Sequence, residues 1–221
     1  MNYDELLEYL FASRNEKYAT FSKTLSNGDY DVIGVNNPTL KEIIKQHKDD
    51  ENLKTQDFVL DKYLEVDYIY FGLCLQRAKN VDEQLSFLEN EIYKAKSWAI
   101  TDSISTYIKK CSFDKFYSFF LNNCNSVYTY SRRMSYILAL KFHKDKNVLK
   151  VIDYIKPNEE YMVMMAEAWL LATIAIDFKD EIYSYLKDLD DLVLKRKTIS
   201  KIVDSFRFTS EDKELFKTLR K

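Results

Sequence analysis

Tyr161-Met162-Val163-Met164-Met165-Ala166-Glu167-Ala168-Trp169-Leu170-Leu171-Ala172 is apolar at nearly every position. At ~100° per residue such a stretch wraps apolar side chains round the whole helix, so other elements must enclose it. Pro157-Asn158-Glu159-Glu160 precedes it and puts acids in the first turn, where the helix dipole favours them. The apolar run from Met162 to Ile176 is interrupted by Glu167 and falls short of the ~20 residues of a membrane span. It predicts a largely buried helix, with Trp169 read by default as a core side chain.

Outward from this segment the apolar period stays helical. Helices are predicted over about 3–13, 15–25, 38–48, 55–64, 66–79, 81–94, 97–110, 113–123, 127–143, 147–155, 159–177, 179–187, 191–205 and 209–220. Asn37-Pro38 offers an N-cap and a first-turn proline. Thr209 and Asp212 have capping-box spacing. Asn27 to Asn37, with two of the three glycines, reads as a surface loop, and Asp49-Asp50-Glu51 as a solvated turn. About fourteen helices are too many for one four-helix bundle, whereas a stack of helix pairs absorbs them. The expectation is an all-α solenoid over residues 1–221, one helical-repeat domain.

Composition removes other classes. With 3 Gly and 2 Pro in 221 residues, an all-β fold lacks its turn residues, and no phosphate-binding glycine motif is present. The net charge of −2 gives no global basic signature. Met1-Asn2-Tyr3-Asp4-Glu5 does not read as a signal peptide. Cys74, Cys111 and Cys124 form no CxxC and read as reduced cytosolic thiols. His47 and His143 are isolated; they suggest no zinc site or His-based triad and read as surface residues.

Three residues stand off the core pattern. In the predicted helix 97–110, Ile100, Ile104, Tyr107 and Ile108 form the apolar stripe, while Trp98 and Asp102, four apart, share another face. In 127–143 the inward stripe is Tyr130, Met134, Ile137, Leu138 and Lys141; Arg133 borders it and Arg132 points away. Arg133 has either an interhelix salt bridge or a phosphate as partner. Trp98 to Arg133 is 35 residues and Arg133 to Trp169 is 36. In a solenoid, residues one repeat apart share a face, which would gather two indoles, a guanidinium and a carboxylate. Such a set suits a cationic or π-faced ligand on a phosphate backbone.

At these residues the chain resembles the bacterial DNA alkylation repair family, the HEAT-like-repeat alkylpurine DNA glycosylases. Five segments carry the resemblance in order: Gly34-Val35-Asn36-Asn37-Pro38-Thr39-Leu40, Ser97-Trp98 with Asp102, Arg132 to Leu138, Ala166 to Leu171, and Lys197 to Lys201 with Arg207 and Ser210 to Lys213. The resemblance implies a HEAT-like superhelix with a concave DNA-binding groove. It implies hydrolytic excision of positively charged N3- or N7-alkylpurines from double-stranded DNA without deep base flipping. Asp102 would then stabilise an oxocarbenium-like sugar, with Trp98 and Trp169 contacting the deoxyribose and the lesion. Arg133 would hold the backbone, and Lys195, Arg196 and Lys197 are candidate phosphate contacts. No metal or organic cofactor is expected, and a monomer in a bacterial cytoplasm is implied. Glu167 and Asn36 stand where relatives often carry basic residues. Two alternatives stay open, a non-catalytic paralogue binding damaged or branched DNA and a protein-interaction scaffold.

Overall fold

The computed structural model describes residues 1–25, 30–157 and 160–220, and the chain divides into two compact units, Met1–Lys110 and Cys111–Lys221. Among the described residues it is all-α, with thirteen α-helices and one isolated bridge between Asp31 and Tyr63. No described helix is long and apolar enough to cross a membrane.

The first unit contains α1 (Tyr3–Ala12), α2 (Glu16–Leu25), α3 (Asn37–His47), α4 (Leu64–Arg77), α5 (Val81–Glu91) and α6 (Trp98–Ile104). Asn2 and Glu5 form a capping box on α1, and Asn80 and Ser97 cap α5 and α6. The cap of α3 is Asn36, one residue earlier than expected: its side chain accepts from the Thr39 N–H at 3.0 Å. Asn36 therefore has a structural duty as the cap of α3. Helix α4 packs against α3 and α6 and buries Val66, Ile69, Phe71, Leu73 and Leu75. Each such side chain contributes ~1.5–3 kcal/mol of apolar burial. Gly72 permits close approach to α3, because a Cβ there would stand 2.4 Å from Ile44 Cδ1.

Two expectations fail in this unit, both because of buried acids on α4. Of the helix predicted over 55–64, only a 3-10 turn at Thr55–Asp57 forms. Asp61 takes a positive φ of 67°, and its N–H donates to Asp67 Oδ1 at 3.1 Å. The supposed surface loop is also different. Residues 27–29 lie outside the described residues, but Tyr30, Ile33 and Val35 are buried. The Glu65 carboxylate accepts from the N–H groups of Ile33, Gly34 and Val35 at 3.0, 2.7 and 3.2 Å. Gly34 needs its freedom: its φ is 105°, and a Cβ would lie 2.6 Å from the Asn15 carbonyl oxygen.

The second unit contains α7 (Phe113–Asn123), α8 (Thr129–Ala139), α9 (Leu149–Ile152), α10 (Tyr161–Ile174), α11 (Lys179–Asp188), α12 (Leu192–Asp204) and α13 (Ser210–Lys217). Asn158 and Glu159, expected in the first turn of α10, lie outside the described residues. Thr209 and Asp212 do form the α13 capping box. Phe113, Phe116 and Phe120 of α7 pack with Phe142, Tyr136 and Tyr154 in an aromatic cluster. Lys141 is exposed and not on the inward stripe.

Helix α10 packs against both α8 and α12. The three run in the same direction. Thr129, Arg132 and Arg133 at the start of α8 bond Glu160 and Met162 at the start of α10, and Tyr161 then Trp169 of α10 meet Lys197 then Lys201 of α12. This is the helix packing of a helical-repeat solenoid, with equivalent helices side by side. Helices α8, α10 and α12 begin at residues 129, 161 and 192, so the repeat of this unit is 31 to 32 residues. The 36-residue spacing from Arg133 to Trp169 is thus one repeat plus about one helical turn, and Trp169 stands a turn further along α10 than Arg133 does along α8.

His47 and His143 are not plain surface residues. His47 Nδ1 lies 3.0 Å from Asp50, which also takes the Met1 amino group at 2.9 Å, and His143 Nδ1 lies 2.7 Å from Asp177. The bonds from the Met1 amino group and then from His47 hold the Asp50 carboxyl well below its ordinary range, and the 49–51 turn is a clasp as well as a solvated bend.

Candidate functional site

In the first unit, Ser97 Oγ accepts from the Ala99 N–H at 3.2 Å and starts α6 with Trp98 as its first residue. Ile100 and Ile104 turn inward and are fully buried. Trp98 and Asp102 share the other face, as the spacing predicts, and both are half-buried. Asp102 Oδ1 accepts from Thr101 Oγ1 at 3.2 Å. Its main-chain carbonyl accepts from Ser105 Oγ at 2.7 Å. These bonds tie the aspartate to its own helix. Trp98 also walls a cavity of about 190 Å³ with Phe21, Leu64 and Tyr68. A carboxylate next to an indole at the edge of an apolar recess can sit against a cation that is partly shielded from water.

In the second unit the sequence reading of Trp169 is corrected. α10 is buried at nine positions, Val163, Met164, Ala166, Glu167, Ala168, Leu170, Leu171, Ala172 and Ile174. Trp169 nevertheless keeps 41% of its surface exposed and Tyr161 52%. An indole left out of so apolar a helix is a placement that packing alone does not require. Lys201 Nζ stands 5.9 Å from the Trp169 ring centre and Lys197 Nζ 5.5 Å from that of Tyr161. Trp169, Thr173, Ile176, Lys201, Asp204 and Arg207 line an open depression of about 360 Å³.

The expected phosphate contacts divide. Arg196 is exposed, and Lys197 is half-buried beneath its contact with Tyr161. Arg133 is only 5% exposed, and its Nη1 donates to the Met162 carbonyl, where it fastens α8 to α10. Lys195 is 8% exposed, and its Nζ donates to the Lys187 carbonyl at 3.3 Å near the end of α11. In this structure these two cations serve helix packing. Arg132, expected to point away, pairs with Glu160. Burial would raise the Glu160 carboxyl, but Arg132 and Thr129 outweigh it and hold the group below its ordinary value.

Glu167 does not burden the Trp169 face with negative charge. Two residues from Trp169 on a helix, it lies ~160° round the axis. It is 2% exposed and lines a separate cavity of about 220 Å³ with Arg132, Tyr136 and Tyr154. Burial and then the Glu167 charge push the Tyr185 hydroxyl up to about 12.

Sequence reasoning missed Lys201, Tyr161 and Arg207 as parts of the surface. The signal was present in the spacing: Lys197 and Lys201 are four apart, Tyr161 and Trp169 eight. Reading Lys195-Arg196-Lys197 as a linear cluster hid it, because consecutive helical residues point ~100° apart.

The chain matches the family described as DNA alkylation repair enzyme over residues 5–202. No curated protein and no solved structure matches it.

Proposed function

We propose that this chain, which belongs to the DNA alkylation repair enzyme family, is a DNA glycosylase that releases positively charged N3- and N7-alkylpurines. Family membership ties the protein to repair of alkylated DNA, and DNA is the partner it implies. The observation that carries the finer reading is the exposed indole of Trp169 on a helix buried at nine of its fourteen positions, beside a lysine and an arginine.

The chemistry is economical. Alkylation at N3 or N7 gives the purine a positive charge, so the base leaves as a neutral molecule. The C1′–N bond electrons pass to the base, and the sugar becomes oxocarbenium-like. Asp102 faces that charge and stabilises it, and water then adds to C1′ as a proton is lost. Trp98 and Trp169 offer ring faces to the sugar and to the cationic base. Arg196, Lys197 and Arg207 supply the phosphate grip. An open depression such as the one at Trp169 suits a lesion kept in or near the stack, unlike enzymes that flip the base into a deep pocket. The protein acts without metal or organic cofactor, as a monomer, in a bacterial cytoplasm.

The test is base release from duplex DNA carrying 7-methylguanine or 3-methyladenine. The wild type should release both, and Asp102→Asn should lose at least about 100-fold in rate while remaining folded. A well-folded wild type that releases neither at low salt would sink the reading. The burial of Arg133 and the net charge of −2 favour, as second reading, a paralogue that binds damaged or branched DNA without excision. It predicts salt-dependent binding that Asp102→Asn leaves unchanged or tighter.

A further inference from the structure

Tyr161 and Trp169 are the aromatic rings of α10, both face outward, and each carries a lysine over its ring. The rings are eight residues apart, ~12 Å along the helix. The lysines, four apart on α12, match them in order. The surface thus holds two cation–aromatic stations, each occupied by the protein's own ammonium.

A cation is drawn to an indole by the negative face of the ring. A positively charged purine needs that same face, and so does Lys201. We propose that Lys201 is a resident competitor for Trp169: it covers the indole in the free protein and must leave before a cationic base can stack there. The proposal rests on the reading that Trp169 meets a cationic base, and it makes Lys201 a specificity-determining residue of that surface. The surroundings give the displaced ammonium a destination. Asp204, three residues on along α12, lines the same depression and offers a carboxylate at helical pairing distance. Arg207, on the same rim, keeps the depression cationic toward phosphate when Lys201 has moved. A base that gains little from the indole cannot repay the contact it breaks, so undamaged DNA slides past the station.

The experiment uses the full chain and follows the indole N–H resonance of Trp169, assigned with Trp169→Phe, during titration with the cationic nucleoside 7-methylguanosine and with neutral guanosine. Lys201→Met keeps the aliphatic stem and removes the charge. It should tighten 7-methylguanosine binding roughly two- to fivefold, the fold-change that one exposed cation–π contact corresponds to. Guanosine should remain the weaker ligand in both proteins. Lys201→Arg, which keeps a cation on the ring, should bind no tighter than wild type. Unchanged or weaker binding of 7-methylguanosine by Lys201→Met would overturn the proposal. So would equal binding of the two nucleosides, or no response of the Trp169 resonance in any of the proteins. Base release by the wild type is scored separately, so an inactive protein with this nucleoside response condemns the glycosylase reading alone, and an active one without it condemns the competitor alone.

Discussion

Helices α4 and α10 are the central helices of the two units, equal in length at fourteen residues; both bury their acids, but they place their other out-of-pattern side chains differently. α4 spends its two acids inward. Glu65 gathers three main-chain N–H groups of the Tyr30–Val35 segment, and Asp67 takes the Tyr30 hydroxyl at 2.7 Å and the Asp61 N–H. α10 is almost wholly apolar and sets its large aromatics outward, each under a lysine. The contrast separates two uses of out-of-pattern residues. On α4 they build loops; on α10 they build a surface.

The largest expected effect tests the loop-building half. Glu65→Ala leaves three buried N–H groups without their acceptor and should cost about 3–5 kcal/mol, read by denaturant unfolding. A loss below about 1 kcal/mol would mean the segment is not held by that carboxylate. Next comes the paired test on α10. Leu170→Ala should cost about 2–5 kcal/mol, whereas Trp169→Ala should cost about 1–2 kcal/mol and yet lose the greater share of base release. Equal stability losses would erase the difference between an inward and an outward α10 residue.

The third prediction concerns pH. Burial, against the bonds from Tyr30 and Asp61, raises the Asp67 carboxyl from its ordinary value to about 6. The folded protein therefore holds this proton more tightly than the unfolded chain. Its contribution is fully present below the unfolded value near 4 and is lost as pH rises through about 6. The loss amounts to about 2–3 kcal/mol. Asp67→Asn should remove this fall, and the difference between the pH–stability curves of variant and wild type shows it; parallel curves would refute it. The smallest effect belongs to Lys197→Met, which should lower stability by about 0.5–1 kcal/mol through its lost contact with Tyr161, measured by thermal unfolding.

Periodicity made most helices legible in advance, because apolar stripes such as Ile100, Ile104 and Ile108 are local information. Residues 55–64 carried the same period but are held out of a helix by Asp67, a contact the period does not encode. The burial of Tyr30 to Val35 was hidden for the same reason, since its organiser is Glu65, some thirty residues later. Trp98 and Asp102 could be placed because their helix has an apolar stripe to be measured against. Trp169 could not: on α10, apolar nearly all round, no stripe gives the direction. The helix contacts of Arg133 and Lys195 were not legible, because a basic side chain near a helix end can as readily hold a neighbouring helix's carbonyl as a phosphate.

In the proposed mechanism Asp102 stabilises the charge at the sugar, Trp98 and Trp169 stack on the sugar and the base, and the basic side chains hold the DNA. Single-turnover base release and duplex affinity, measured for wild type and Asp102→Asn on one duplex carrying a single 7-methylguanine, test it most directly. Wild type should give free 7-methylguanine and an abasic site, and the variant a rate at least about 100-fold lower with affinity unchanged or tighter. Equal release rates, or a rate loss matched by an equal loss of affinity, would contradict it.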